Sequence, residues 1–373
     1  MKKLPVGGAV IIALALGLSA CGAPPAETSA PVQSAPPASA PATSTAPQAP
    51  ASDYKACLVS DTGGFTDKSF NEAAKNGVDQ AVAEFGIQQK EIESKSDADY
   101  APNIKSLLAE NCSLIIGVGY TLEEAVVDAA KANPNSHFAI IDDNPQDKPA
   151  NLKPIVFKTS EAGFLAGYAA AGYSKSGTVA TFGGMKIPTV TIFMDGFADG
   201  VAKYNADSGK TVKVLGWDKA AQNGSFVDSF TDTAKGQQQT QQFIDQGADV
   251  IMPVAGNVGL GATQLAKDKG VALIWVDQDG YVSAPQFGDV MMTSVLKGIQ
   301  AAVYNTIKEE VQAGTFDASP YVGTLANDGV GIAPWHDYDS KIPADLKAKI
   351  DDLKQQIASG ALKVESPADS ALG

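Results

Sequence analysis

From residue 53 onward, short apolar runs alternate with longer stretches whose apolar side chains recur every three to four positions. The runs read as strands and the periodic stretches as helices. Residues 55–60 (KACLVS) form the first expected strand. Residues 68–85 form the first helix, with Phe70, Ala74, Val78, Val82 and Phe85 on one stripe and Gly86 as its stop. A strand near 91–94, a helix over 100–110, a strand over 113–119, a helix over 122–132 and a strand over 137–141 follow. Strands made almost wholly of apolar residues are covered on both faces, which calls for a parallel sheet between layers of helices. The rhythm then repeats, with strands at 177–182, 211–215, 249–254 and 272–276 and helices near 190–206, 228–246 and 259–269. Two such sets joined end to end predict an α/β protein of two doubly wound parallel-sheet lobes. A charged amphipathic helix over 343–358, stopped by Gly360, is expected on the outside.

The first fifty residues break this pattern. Lys2 and Lys3 precede an apolar run from 6 to 18, too short to span a bilayer, and Leu18-Ser19-Ala20-Cys21 follows. Residues 1–20 are expected to be a secretory signal, and Cys21 the first mature residue, whose thiol receives a lipid. Residues 21–52 are almost all Pro, Ala, Ser, Thr and Gln, a composition that cannot repay the entropy of ordering and predicts an extended tether. About 320 residues remain for the lobes. The net charge of −14 argues against nucleic acid or an anionic membrane as partner of the globular part, leaving lipid as the route to the membrane. With Cys21 lipidated, Cys57 and Cys112 are a candidate disulfide in an oxidising compartment, the alternative being two buried free thiols. If strand order is doubly wound, they fall on neighbouring strands.

In such sheets, ligands sit beyond the carboxyl ends of the strands. The loops there are rich in acidic, amide and glycine residues: Asp61-Thr-Gly-Gly-Phe-Thr-Asp67-Lys-Ser-Phe70-Asn71, Gly117-Val-Gly-Tyr120, Asp142-Asp143-Asn144, Gly183-Gly-Met185, Ala255-Gly256-Asn-Val-Gly259-Leu-Gly261 and Asp277-Gln-Asp279-Gly280. A cleft so lined fits a neutral ligand that donates hydrogen bonds. The two histidines, His137 inside an apolar strand and His336 in a late turn, form no obvious pair with a serine or cysteine nucleophile, and no metal or cofactor motif is present. An enzyme is not expected.

These loops, in this order, resemble the basic membrane protein family of bacterial lipoproteins, which includes purine-nucleoside-binding proteins of ABC importers. The resemblance covers about residues 53–340. It rests on Asp61, Asp67-Lys-Ser-Phe70-Asn71, Gly183-Gly-Met185-Lys-Ile-Pro188, Phe193, Gly196-Phe197, Gly200, Ala255-Gly256, Gly259, Asp277 and Thr293-Ser-Val-Leu-Lys297-Gly. It implies a type I periplasmic-binding-protein-like fold with a hinge. By position, Asp61, Asn71 and an aspartate of the pair Asp142-Asp143 would bond the base and nearby polar groups, and Phe70 would stack on it. Asp277 and Lys297, with backbone at Gly256, would hold the ribose. Met252 stands where members often carry an aromatic, and its thioether would cover the second ring face. Lys297 is expected on a helix. One of Phe193 and Phe197 is expected in the core.

The lobes are expected to comprise 53–158 plus about 286–316, and 159–285 plus about 317–373. The function that follows is a monomeric, lipid-anchored binding protein on the extracytoplasmic face that delivers a nucleoside to an ABC permease and ATPase. The rival readings are a sensory lipoprotein of the same fold and an exported glycoside or nucleoside hydrolase.

Overall fold

The computed structural model describes residues 53–372. The expected leader, Cys21 and the tether lie outside the described residues. In the first lobe, strands β1 (Lys55–Ser60), β2 (Gln88–Ile92), β3 (Leu114–Val118), β4 (His137–Ile141) and β5 (Leu152–Phe157) alternate with helices α1 (Phe70–Phe85), α2 (Tyr100–Ala109) and α3 (Glu123–Ala132). The second lobe runs α4 (Thr159–Tyr173), β6 (Thr178–Gly183), α5 (Pro188–Ser208), β7 (Lys213–Leu215) and a small hairpin, β8 (Trp217–Asp218) with β9 (Asn223–Gly224). It continues through α6 (Thr233–Asp245), β10 (Val250–Val254), α7 (Asn257–Lys269), β11 (Ala272–Asp277), α8 (Gly280–Ser283) and β12 (Met291–Lys297). Last come α9 (Ile299–Ala313), β13 (Tyr321–Gly323), β14 (Val330–Ile332) and α10 (Ala344–Ala358).

The first sheet has the order β13-β5-β4-β3-β1-β2 and the second β14-β12-β11-β10-β6-β7. All ladders in these two sheets are parallel except β12 with β14. Each lobe thus carries the same five-strand doubly wound order with one late strand added at its edge. The strands are buried on both faces. On β1, Ala56 and Leu58 enter one apolar cluster while Cys57 and Val59 enter another, as alternation requires. Because β1 pairs with β3, Cys57 and Cys112 meet, with Cα atoms 5.9 Å apart, and form a disulfide.

The expected lobe boundaries need correction. Of the range 286–316, expected in the first lobe, α9 packs on α1 there, but β12 pairs with β11 in the second sheet. Within 317–373, assigned to the second lobe, β13 pairs with β5 in the first. Hydrogen bonding decides membership here, and the short edge strands carry little sequence signal. The chain crosses between lobes at Lys158, at Gly298 and between β13 and β14. These strands are tied together: Lys158 N donates to Gly323 O at 2.7 Å and Gly298 N to Gly329 O at 2.8 Å.

Helix α4 is buried along 159–171 on every side. It crosses α5 at backbone contact: a Cβ on Gly167 would sit 2.0 Å from Phe197 O, and one on Gly200 2.0 Å from Phe164 O. Only glycine permits that approach, which makes the helix pair the rigid floor of the second lobe.

Candidate functional site

Loops at the carboxyl ends of β1, β3, β6, β10 and β11 converge between the lobes on one cleft. This is the topological switch point of each sheet, where adjacent loops diverge and leave room for a ligand. Of the eight residues anticipated as ligand contacts, Asp61, Phe70, Asn71, Asp142, Gly256, Asp277 and Lys297 line this one cavity.

The first lobe contributes a polar network before α1. Asp67 caps the helix: its carboxylate accepts from the backbone N–H groups of Ser69 (3.1 Å), Asn71 (2.9 Å) and Glu72 (3.0 Å). Asn71 Nδ2 donates to Asp61 Oδ1 at 2.8 Å and to Asp67 Oδ2 at 3.2 Å, so both amide hydrogens are engaged. Its Oδ1 is buried without a partner. Asp61 Oδ1 also accepts from Gly63 N at 2.8 Å. Behind it, Gly119 has φ +123°, and a Cβ there would lie 2.9 Å from Asp61 Oδ2, so glycine keeps that carboxylate in place.

Asp142 and Asp277 end β4 and β11 with φ of +72° and +68°. These are left-handed conformations that turn the chain sharply at the strand ends, and non-glycine residues adopt them at a cost. Asp142 receives a hydrogen bond from Lys297 Nζ, a buried ion pair that spans the lobes. The ammonium also lies 4.9, 5.6 and 5.5 Å from the ring centroids of Phe70, Phe157 and Phe193, whose faces replace water around the charge. Asp277 accepts a short hydrogen bond from Ser69 Oγ, again across the cleft. The second lobe otherwise presents apolar groups: Ile187, Val190, Phe193, Phe230, Val254 and Val276.

Burial dominates the electrostatics. Loss of water raises the carboxyls of Asp61, Asp67 and Asp277 to about 6, against hydrogen bonds that act the other way. Asp143, outside the cavity, is raised to about 7 by burial and then by Glu123. Burial also raises Asp142, opposed by Lys297.

Two placements differ from the expectations. Met252 does not reach the cavity: it is fully buried on β10, opposite Thr181, whose Oγ1 donates to the Met252 carbonyl. It shares the face of Val254 but lies two residues deeper, roughly 7 Å below the strand end that meets the cleft. The second-lobe aromatic is Phe230 instead, from the loop before α6. No periodicity marks it; an aromatic inside the polar run Ser225–Asp232 was the available signal. Lys297 closes strand β12 instead of sitting on a helix, since the β-rich stretch 291–296 carries on to it and the helix starts at Ile299. Phe197 packs in the core, as expected of at least one of the pair, and Phe193 both joins the core and lines the cavity.

A family model described as ABC transporter substrate-binding protein PnrA-like matches residues 55–366. Basic membrane protein A of Borreliella burgdorferi is 32% identical over 322 residues, covering 85% of this chain and 89% of that protein. The ABC transporter nucleoside-binding protein BmpA of Lactococcus lactis is 29% identical over 334 residues, covering 84% and 90%. Among solved structures, a solute-binding protein of an ABC transporter system from Aeropyrum pernix superposes with a TM-score of 0.77 at 24% identity, covering 85% of this chain and 96% of that one, and speaks for the fold alone. A lobed binding cleft and these relatives place the chain among proteins that bind solutes, not enzymes. It belongs to the PnrA-like family of ABC transporter substrate-binding proteins, the family of the basic membrane proteins.

Proposed function

We propose that the protein captures a nucleoside, preferably a purine nucleoside, between its lobes and delivers it to an ABC permease, held at the extracytoplasmic face of the membrane by lipid on Cys21. The observation that carries this reading is the chemistry of the cleft. Its charged and amide acceptors, Asp61, Asn71 Oδ1, Asp142 and Asp277, stand with the hydroxyls of Tyr120, Thr121 and Thr189 between rings from both lobes. A flat heterocycle stacks on Phe70 and Phe230, at about 1–3 kcal/mol per ring face. Its N–H groups donate to Asp61 and Asn71, and ribose hydroxyls donate to Asp142 and Asp277. Lys297, the cation of the cavity, is already paired, which disfavours a phosphate-bearing ligand. The printed name of the Lactococcus lactis relative, a nucleoside-binding protein, supports the same class.

The test is thermal unfolding of protein stripped of ligand by unfolding and refolding. Guanosine, inosine or adenosine at a hundred times Kd stabilises by about 2.7 kcal/mol, while ribose and nucleoside monophosphates give little. No shift with any nucleoside, or an equal shift with the monophosphates, refutes the reading. For the anchor, Cys21→Ala is expected to release the protein from the membrane fraction into the medium or periplasm.

A further inference from the structure

Within the run Asp67-Lys-Ser-Phe70-Asn71, the cleft accounts for Asp67, Phe70 and Asn71 but leaves the middle of the run without a ligand role. Lys68 has φ +58°, a left-handed conformation for a long side chain, and its ammonium pairs with Glu72 on its own helix. What the turn offers the other lobe is its backbone. The carbonyl of Lys68 accepts from Trp275 Nε1 at 3.0 Å and from Ser283 Oγ at 2.9 Å. The carbonyl of Ser69 accepts from Gln278 Nε2 at 2.8 Å, and Gln278 Oε1 in turn accepts from Asn76 Nδ2 at 3.4 Å. All three donors belong to the second lobe and none lines the cavity. Trp275 points to the face of β11 opposite Val276, among the residues of the α7 side, so its ring is fully buried away from the ligand while its N–H reaches the rim.

We infer that Trp275, Gln278 and Ser283 are positioning residues: they grip the Lys68–Ser69 turn only when the lobes are shut, and so fix Phe70 and Asn71 against the ligand and slow its escape. The bonds require both lobes in the closed arrangement, and breaking them is part of opening. They touch no ligand atom, so their effect is the same for every ligand. The left-handed Lys68 is the local cost of turning two successive carbonyls outward toward one partner surface. This goes beyond the proposed function in naming residues outside the cavity that set affinity, and it rests on that reading only for the choice of probe.

The experiment compares wild type with the double variant Trp275→Phe, Ser283→Ala. Phenylalanine keeps a ring against Gly259 and Gly280, whose missing side chains make room for the indole, and removes the N–H. Stopped-flow binding of guanosine and adenosine is expected to show a dissociation rate about ten- to a hundredfold faster and an association rate within about twofold. The ratio of the two affinities stays as in wild type. Because Trp275→Phe trims a buried ring and lowers ligand-free stability by itself, Ser283→Ala alone serves as the stability control, with a faster dissociation rate at an unchanged ligand-free melting temperature. Ser283→Thr, which keeps the hydroxyl, stays close to wild type in dissociation rate. Equal dissociation rates overturn the inference, as does a faster rate in Ser283→Ala accompanied by a matching loss of ligand-free stability. If wild type binds neither nucleoside, the nucleoside reading alone fails. The positioning role is then scored on protein as purified, by dialysis and mass spectrometry of the small molecule it carries: a shorter retention time in the double variant upholds it and an equal time refutes it.

Discussion

The two lobes repeat one strand order yet meet the cleft with different chemistry. The first lobe brings hydrogen-bonding groups held by one another, with Asp61 and Asp67 fixing the amide of Asn71 and the helix cap fixing Asp67. The second brings a largely apolar wall on a floor of two helices in backbone contact, broken by Asp277 and Lys297. Their bracing differs as well, since the first lobe has the Cys57–Cys112 bond and the second the glycine contacts of α4 with α5. The contrast teaches a division of labour: one lobe reads the ligand's donors, and the other covers it and excludes water. The two charged groups of the covering lobe both reach across to the reading lobe, Lys297 to Asp142 and Asp277 to Ser69.

Changes on each side sharpen or break that contrast. The largest effect is expected for Lys297→Met. In the closed form it leaves Asp142 buried without its partner, a loss of about 3–5 kcal/mol, or at least a hundredfold in affinity by calorimetry. The ligand-free urea midpoint moves less, because an open cleft rehydrates the carboxylate. Replacing both Cys57 and Cys112 by serine releases a crosslink of sequence separation 55 and is expected to cost about 2–4 kcal/mol. Amide exchange should locate that loss in the first lobe, and a uniform loss over both lobes would contradict separate bracing. Phe70→Ala and Phe230→Ala each remove a ring, at about 1–3 kcal/mol of binding. If only the first matters, the second lobe covers the ligand without stacking on it.

The smallest effect is on pH dependence. Asp61, Asp67 and Asp277, at about 6, and Asp143, at about 7, hold protons in the folded protein more tightly than an unfolded carboxyl at 3.8. The native state therefore binds more protons between about pH 4 and 7, and stability rises as pH falls through that window. Lowering the pH from about 7.5 to about 5 is therefore expected to raise the Tm of ligand-free protein, by less than these values alone would give because the empty cleft opens and rehydrates Asp61 and Asp277. Asp61→Asn is expected to flatten the profile, and a profile unchanged by the variant would assign the effect elsewhere.

How much of this was legible in sequence depends on whether a residue's pattern was local. Strand β4 was anticipated residue for residue, because five apolar-rich positions between turn signals admit few other readings. The stripe of α1 and its glycine stop followed from one period and one breaker, whereas its start falls two residues later than expected, where the Asp67 carboxylate caps the first turn. Helix α4 gave no such signal, since a helix buried on all sides has no polar face and hence no period. The cleft was readable as loops after strands, which topology alone gathers. Depth along a strand was not, and Met252 was lost for that reason. Phe230 sits in a loop whose path is set by contacts distant in sequence. The lobe exchange of β12 and β13 is likewise tertiary, decided by which edge lies free when each strand arrives.

The most direct test is calorimetric titration of refolded, ligand-free protein with guanosine, inosine and adenosine, run on wild type and on Asp61→Ala. One-to-one binding by wild type is expected, weakened at least tenfold in the variant, since a carboxylate fixed by Asn71 and Gly63 faces the ligand. Equal affinities in the two proteins, or no heat with any purine nucleoside, would contradict the account.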